Sequence, residues 1–157
     1  MSDQADTEIE STGVNLVEIR RRALDLLARR EHSATELRRK LIARQFPENA
    51  VGQVLARLQH EGLQSDERFI ESYLNHRFNA GFGPLKIRHE LLRKGISDDL
   101  IQGYLEPMHD QWDELMTQQR VRKFGQVIPG NMKECMRQAR FLQNRGFSPE
   151  SVMRLFR

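Results

Sequence analysis

Apolar residues recur every three or four positions along most of the chain, which is the spacing of one face of an α-helix. The clearest example is residues 81–96. Pro84 fits the first turn of a helix, where its missing N–H does no harm, and Gly95 fits the left-handed conformation that ends many helices. Between them, apolar residues such as Leu91 lie on one side and basic residues such as Lys86 on the other. The pattern predicts a short amphipathic helix.

Two other stretches repeat this one with a period of about 50 residues. In each copy a helix-ending signal precedes an apolar residue, and a leucine lies five positions before that residue. The matched apolar residues are Phe46, Ile96 and Phe147, which are 50 and 51 positions apart, and the leucines are Leu41, Leu91 and Leu142. A repeat of this length with matched capping and core positions is typical of tandem helical modules.

The sequence therefore predicts an all-α protein of three tandem three-helix repeats that form an elongated, curved body. Runs of β-branched residues are scarce, and 30% of the residues are charged, a mixture typical of all-α proteins. Ser33, Ser97 and Ser148 are each placed to cap a predicted helix. The predicted boundaries are residues 1–15 for an acidic, disordered tail, 16–64 for repeat 1, 65–108 for repeat 2 and 109–157 for repeat 3.

Several classes of protein are excluded by what the sequence lacks. There is no apolar run of about 18 residues that could span a bilayer. The acidic N-terminus is unlike a secretory signal, so we expect a cytoplasmic location and no membrane partner. The single cysteine, Cys135, excludes an internal disulfide, and its neighbours Met132 and Met136 predict that it is buried.

Catalytic and metal-binding patterns are also missing from the sequence. The five histidines are scattered, and no two of them are four positions apart. There is no cysteine pair for zinc, no glycine-rich loop after a strand, and no grouping of serine, histidine and acid. The sequence predicts that the protein is not an enzyme and holds neither a metal nor a cofactor.

Charge is distributed unevenly along the chain. Residues 1–15 carry four acids and no Lys or Arg, which gives this segment a charge of −4. Because the whole chain carries +3, the remaining residues carry +7. A basic helical body indicates a polyanion or an acidic protein surface as partner, although many helical proteins have a basic surplus without such a partner.

One residue does not fit the apolar stripe of the second helix in repeats 1 and 2. Arg38 and Arg88 occupy this matched position, and repeat 3 has Ala139 there. An arginine in an apolar stripe must extend to solvent or pair with a carboxylate, because burying it unpaired is costly. Two interpretations stay open: a local ion pair, or a shared face that contacts an anionic partner.

Further basic residues lie on the outer parts of the second helices. If the repeats stack regularly, these residues line up as a basic strip that could follow a phosphate backbone or an acidic groove. For any one of them, the alternative is a solvated helix face. The predicted filament- or DNA-binding face consists of Arg38, Arg39, Lys40, Arg44, Lys86, Arg88, Arg93, Lys94, Arg137, Arg140 and Arg145.

The central stretch, residues 81–96, resembles the RecX family of bacterial RecA regulators. The likeness lies in the order and spacing of GFGP, then KI, then ELLRKGI. Similar stretches at 23–41 and 145–148 extend the resemblance over residues 16–157, nearly everything after the acidic segment. The third repeat is the least regular, because residues 125–130 interrupt it.

The resemblance implies three tandem three-helix repeats and a negative modulator of RecA. Such a protein lies in the groove of the RecA–single-stranded DNA filament, where it blocks growth or promotes disassembly. Strand exchange, ATP hydrolysis and co-protease activity fall as a result, which affects homologous recombination, the SOS response and DNA repair. The expected partners are the RecA filament, single-stranded DNA and double-stranded DNA, and the expected state is a monomer.

Two other functions are compatible with the same repeat pattern. The first is a stand-alone DNA-binding protein whose modules act like helix-turn-helix readers. Such a reader needs base-contacting side chains on a recognition helix. The predicted third helices offer little of that, since they carry only Gln53, Arg57, Gln102 and Arg154. The second is a structural adaptor, for which DNA binding would be absent.

Overall fold

The computed structural model describes residues 3–157, and of residues 3–14 it describes the backbone alone. Over these residues the chain forms nine α-helices, one 3-10 helix and no strand. This confirms the all-α fold class. The helices are α1 Asp3–Arg29, α2 Ala34–Ala43, α3 Glu48–His60, α4 Asp66–Asn79, α5 Pro84–Arg93, α6 Asp98–Leu105, α7 His109–Phe124, α8 Met132–Asn144 and α9 Pro149–Leu155, with the 3-10 helix Glu106–Met108 between α6 and α7.

The first helix starts earlier than the sequence predicts. The prediction places a disordered tail over residues 1–15 and the helix start at Leu16, whereas the backbone of α1 is helical from Asp3. Residues 3–12 are rich in Asp, Glu and Gln, and acidic groups near a helix N-terminus interact favourably with the helix dipole. Residues 1 and 2 lie outside the described residues.

The chain divides into two compact units, Met1–Phe69 and Ile70–Arg157. In the first unit, α1, α2 and α3 direct their apolar faces to one core. Ion pairs close its edges, including one from Arg20 to Glu61 at 2.7 Å. The fully buried residues of this core are Ile19, Ala23, Leu37, Leu41, Val51 and Leu58.

The second unit contains most of α4 and all of α5 to α9. Trp112 is buried in it, donates its indole N–H to the carbonyl of Leu105 at 3.1 Å, and packs edge to face on Phe78. The segment before α5 lies against the end of α8: the amide of Gly83 donates to the carbonyl of Arg145 at 2.8 Å. A Cβ at Gly83 would lie 2.5 Å from the carbonyl of Gly146, so only glycine fits this contact.

The same backbone motif ends the second helix of each repeat, as the matched sequence junctions predict. The residue after the helix cap has a positive φ: +68° at Gln45, +80° at Gly95 and +103° at Gly146. The next amide donates back to the matched leucine carbonyl, which is the Schellman arrangement. These bonds run from Phe46 to Leu41, from Ile96 to Leu91 and from Phe147 to Leu142, at 3.4, 3.2 and 3.2 Å.

The predicted serine caps are also present. The hydroxyl oxygens of Ser33, Ser97 and Ser148 accept hydrogen bonds from the backbone amide three residues later. Ser33 forms a full capping box, because the Glu36 carboxylate accepts from the Ser33 amide in return. These caps satisfy amides that a helix start leaves unpaired.

The predicted apolar face of α8 is wrong in part. Met132 and Met136 are 77% and 50% exposed, and Cys135 is half-buried, with its thiol donating to the carbonyl of Pro129 at 3.4 Å. The buried stripe of α8 instead contains Gln138, which accepts a hydrogen bond from the buried Arg120 of α7. The buried residues of α8 are thus Gln138, Ala139 and Leu142, and the methionines face solvent.

Candidate nucleic-acid interface

The two arginines that interrupt the apolar stripes each pair with an acid. Arg88 donates through two guanidinium nitrogens to both carboxylate oxygens of Asp98, at 2.7 and 3.0 Å. Arg38 donates through one guanidinium nitrogen to one carboxylate oxygen of Glu48, which likewise lies ten residues later in the chain. Glu48 and Asp98 are the first residues of α3 and α6, so each pair ties a second helix to the start of the third.

Repeat 3 lacks both members of this pair. Ala139 stands in place of the arginine, and Pro149 opens α9 in place of the acid. In repeat 2, the hydrogen bond from Arg88 holds the pKa of Asp98 below its ordinary value. These contacts correspond to the local ion-pair interpretation of Arg38 and Arg88, and contact of the same arginines with a partner stays a prediction.

The other predicted basic residues of repeat 1 lie on α2 and its C-terminal cap. Arg39 and Arg44 are exposed. The ammonium of Lys40 lies 2.9 Å from Nε2 of the buried His32, whose Nδ1 donates to the carbonyl of Arg30 at 3.0 Å. Burial lowers the pKa of His32, which favours the neutral ring. Its Nε2 can therefore accept a hydrogen bond from the Lys40 ammonium.

Three cations surround one aromatic ring in the second unit. Phe82 lies in the loop between α4 and α5. The guanidinium carbons of Arg77 and Arg145 lie 3.8 and 4.8 Å from its ring centroid, and the ammonium of Lys86 lies 4.9 Å from it. These are cation–π distances. We call Phe82, Arg77, Lys86 and Arg145 the Phe82 cluster.

Acidic groups balance only part of the charge in this cluster. Glu90 accepts hydrogen bonds from Arg77, at 2.7 Å, and from the hydroxyl of Tyr73. Burial alone would raise the pKa of Glu90, but the hydrogen bonds from these two groups hold it below its ordinary value. Lys86 and Arg145 form no ion pair within the described part of the chain. The cluster therefore offers two positive charges to an anion.

A second group of rings and cations continues from this cluster. Arg145 lies 5.4 Å from the ring centroid of Phe141, which also has the Lys123 ammonium at 4.5 Å. Phe124 packs edge to face on Phe141 at 5.4 Å, and the Arg137 guanidinium lies 5.0 Å from the Phe124 ring. We call the Phe82 cluster together with Lys123, Phe124, Arg137 and Phe141 the basic–aromatic surface.

This arrangement suits a flexible polyanion. Positive groups attract phosphates, and partly exposed rings can contact bases or sugars without reading a sequence. The rings of Phe82, Phe124 and Phe141 are all half-buried, which leaves part of each accessible. The surface is therefore a candidate site for single-stranded nucleic acid.

The structure brings together only some of the predicted basic residues. Lys86, Arg137 and Arg145 belong to the basic–aromatic surface. The Lys94 ammonium lies 5.3 Å from the ring centroid of Tyr73, and Tyr73 shares the Glu90 carboxylate with Arg77 of the Phe82 cluster. Arg93 and Arg140 are exposed on α5 and α8. An alignment of second-helix faces across all three repeats stays a prediction.

Five members of the surface are absent from the sequence-based prediction, namely Arg77, Phe82, Lys123, Phe124 and Phe141. That prediction includes only cations on the second helices and their caps. The available signal was adjacency of basic and aromatic residues, as in Lys123-Phe124 and Arg140-Phe141. In the sequence pattern, Phe82 lies in the glycine-containing stretch that separates two predicted helices.

Within the part of the chain that the structure describes, no three His, Cys, Asp or Glu side chains meet where they could hold a metal ion. None of the described helices combines the length and apolar character that crossing a bilayer requires. The described fold is thus a set of three-helix domains with a basic–aromatic surface, a class suited to macromolecular binding.

Comparison with known proteins identifies the family. Three family models match the chain, described as the first, second and third three-helix domains of RecX, over residues 20–58, 65–105 and 110–156. The regulatory protein RecX of Pseudomonas fluorescens Pf-5 is 41% identical over 140 residues, covering 89% of this chain and 90% of that protein. RecX of Legionella pneumophila strain Corby is 42% identical, covering 86% and 90%. The chain belongs to the RecX family, and the three tandem three-helix domains are confirmed.

Two solved structures share the fold. A crystal structure of regulatory protein RecX superposes with a TM-score of 0.82 at 23% identity, covering 99% of this chain and 77% of that one. RecX from Lactobacillus salivarius gives a TM-score of 0.77 at 20% identity, covering 89% and 93%. At these identities the likeness concerns the fold alone.

Proposed function

We propose that this protein is a negative modulator of RecA that binds the RecA–single-stranded DNA filament. It blocks filament growth or promotes disassembly, and so lowers strand exchange, ATP hydrolysis and co-protease activity. Membership of a regulatory family supports a binding role. The observation that carries the DNA contact is the basic–aromatic surface, where Lys86 and Arg145 form no ion pair among the described residues and Glu90, which pairs with Arg77, is the acid that acts on Lys86.

The tandem repeats add a second argument. A filament presents the same features at regular intervals, and linked modules that bind successive features gain affinity through effective concentration. The basic residues that we propose for the filament- or DNA-binding face are those of the predicted set together with Arg77 and Lys123. The protein acts in the cytoplasm as a monomer, without catalysis of its own, in the control of recombination and of the SOS response.

Titration of the protein into RecA hydrolysing ATP on single-stranded DNA tests this function. We expect inhibition well below one molecule per recombinase, because blocking one site on a filament affects many subunits. An unchanged rate at equimolar protein would overturn the proposal. Inhibition that appears only when the protein covers the DNA would instead favour the stand-alone DNA-binding alternative.

The DNA contact has its own test. Lys86→Ala removes one cation of the Phe82 cluster that forms no ion pair, and Arg29→Ala removes an exposed cation of α1 outside the proposed face. We expect Lys86→Ala to weaken binding to labelled oligo(dT) and to lower the slope of affinity against salt by about one counterion. Arg29→Ala should change neither. Equal behaviour of the two variants would remove Lys86 from the DNA contact.

A further inference from the structure

The loop between α7 and α8 exposes apolar side chains to solvent and turns two of its backbone carbonyls toward a buried side chain. Loops usually turn polar groups outward, but here Val127 is 83% exposed and Ile128 is 47% exposed. The backbone carbonyls of Gln126 and Val127 accept hydrogen bonds from Arg120, at 3.1 and 3.4 Å. The polar backbone is thus bound internally while the apolar side chains face solvent.

Two methionines extend the exposed apolar area. Met132, in the first turn of α8, is 77% exposed, and Met136, one turn later, is 50% exposed. We call Val127, Ile128, Met132 and Met136 the apolar tip. The four side chains lie within ten positions of the chain, and grouped exposed apolar side chains mark interaction sites more often than isolated ones do.

The anchor of this loop is costly to bury. Arg120 is only 3% exposed, its Nε has no hydrogen-bond partner, and its side-chain contact is the Gln138 amide oxygen at 3.4 Å. No carboxylate pairs with it among the described residues. A guanidinium buried without an acid is unfavourable, so its hydrogen bonds to the loop carbonyls must offset part of that cost. Burying Arg120 therefore carries a free-energy cost, and the hydrogen bonds that it makes there hold the exposed apolar loop in one shape.

We propose that the apolar tip docks into an apolar pocket on the recombinase protein of the filament, next to the DNA that the basic–aromatic surface contacts. The inference rests on the proposed function. Apolar side chains gain nothing from a phosphate backbone, whereas a protein pocket removes them from water. Exposed cations flank the tip in sequence on both sides, namely Arg122, Lys123 and Lys133, so the pocket carries acidic residues at its rim.

The position of the tip supports this partner. Lys123 and Phe124 belong to the basic–aromatic surface, and the loop of the tip follows them directly. The apolar tip therefore begins three residues after Phe124, the point where this part of the basic–aromatic surface ends along the chain. A nucleoprotein filament offers both matching chemistries side by side. A lipid surface fits less well, because interfacial segments use larger apolar faces that contain Trp or Phe, and the tip contains neither.

The test compares Val127→Ser/Ile128→Ser with Val17→Ser, which removes an apolar side chain of α1 that is 71% exposed. Each protein is assayed for affinity to labelled oligo(dT) and for inhibition of RecA ATP hydrolysis on single-stranded DNA. We expect the double variant to bind oligo(dT) like the wild type but to need about tenfold more protein for half-inhibition. Val17→Ser should match the wild type in both assays, and circular dichroism should give equal thermal midpoints.

The other outcomes overturn the inference in distinguishable ways. If the wild type inhibits and the double variant inhibits equally, the tip has no role in docking, while the proposed function stands. If the wild type itself does not inhibit, the proposed function fails and the tip loses its assigned partner. If the double variant loses oligo(dT) affinity in proportion, the tip is part of the DNA contact. Tip-dependent sedimentation with phosphatidylglycerol vesicles would assign the tip to lipid instead.

Discussion

Repeats 2 and 3 hold an arginine near the end of their first helix in different ways. In repeat 2, Arg77 pairs with the carboxylate of Glu90 on the following helix and keeps 22% of its side chain exposed. In repeat 3, Arg120 is buried and bonds to Gln138 and to two loop carbonyls. The first arrangement joins two helices, and the second fixes the shape of the loop between them. The same helix position thus supports an inter-helix ion pair in repeat 2 and a fixed loop that carries the apolar tip in repeat 3.

Removing the buried arginine should give the largest effect. Arg120→Ala leaves two carbonyls and the Gln138 amide without their donor, so we expect a loss of about 3 kcal/mol in unfolding free energy. Urea unfolding followed by fluorescence of the single tryptophan, Trp112, measures this. The control is Arg122→Ala, an exposed residue of the same helix, with an expected change within about 0.5 kcal/mol. Equal stability of Arg120→Ala and the wild type would contradict the anchoring role.

The ion pair of repeat 2 should give an intermediate effect that depends on pH. We expect Glu90→Gln to cost about 1–2 kcal/mol at pH 7, because Arg77 and Tyr73 lose a charged acceptor. Folding lowers the pKa of Glu90 below its ordinary value of 4.5. The contribution of Glu90 to the free energy of unfolding is therefore fully present above that pH. The contribution is lost as pH falls through the folded pKa. Denaturant unfolding at pH 7 and at lower pH should therefore show the two proteins converging in acid; a constant difference would argue against this assignment.

The paired arginine of α5 should give the smallest effect. Arg88 and Asp98 have side chains that are 39% and 46% exposed, so solvent screens their attraction. A double-mutant cycle of Arg88→Ala and Asp98→Asn should give a small favourable coupling that shrinks as salt is added. A coupling as large as the Glu90 effect, or one insensitive to salt, would mean that this pair contributes more to the fold than its exposure indicates.

The helices and the repeat could be predicted from the sequence because they depend on local signals. The apolar residues at helical spacing, the serine caps and the positive-φ helix ends such as Gly95 each specify structure within a few positions of themselves. The matched residues Leu41, Leu91 and Leu142 are fully buried, as the repeat predicts. Such features need no knowledge of which helices meet.

The candidate site was less predictable because it depends on contacts between distant residues. Arg145 donates to the carbonyl of Ala80, 65 positions earlier, and reaches Phe82 only because two loops dock together. Periodicity carries no information about that contact. Arg120 was missed for a related reason: sequence patterns place charged residues on the surface, and its burial depends on loop carbonyls that become available only after folding.

The docking of Gly83 on Gly146 limits how far the repeats can act as separate parts. Neither residue tolerates a Cβ, because the space at each is filled by the other segment or by Lys86. A chain cut between repeats 2 and 3 would leave the amides of Gly83 and Leu85 without the carbonyls of Arg145 and Gly146. We therefore expect the second and third repeats to unfold as one cooperative block, and a new side chain at either glycine to need a compensating change on the other segment.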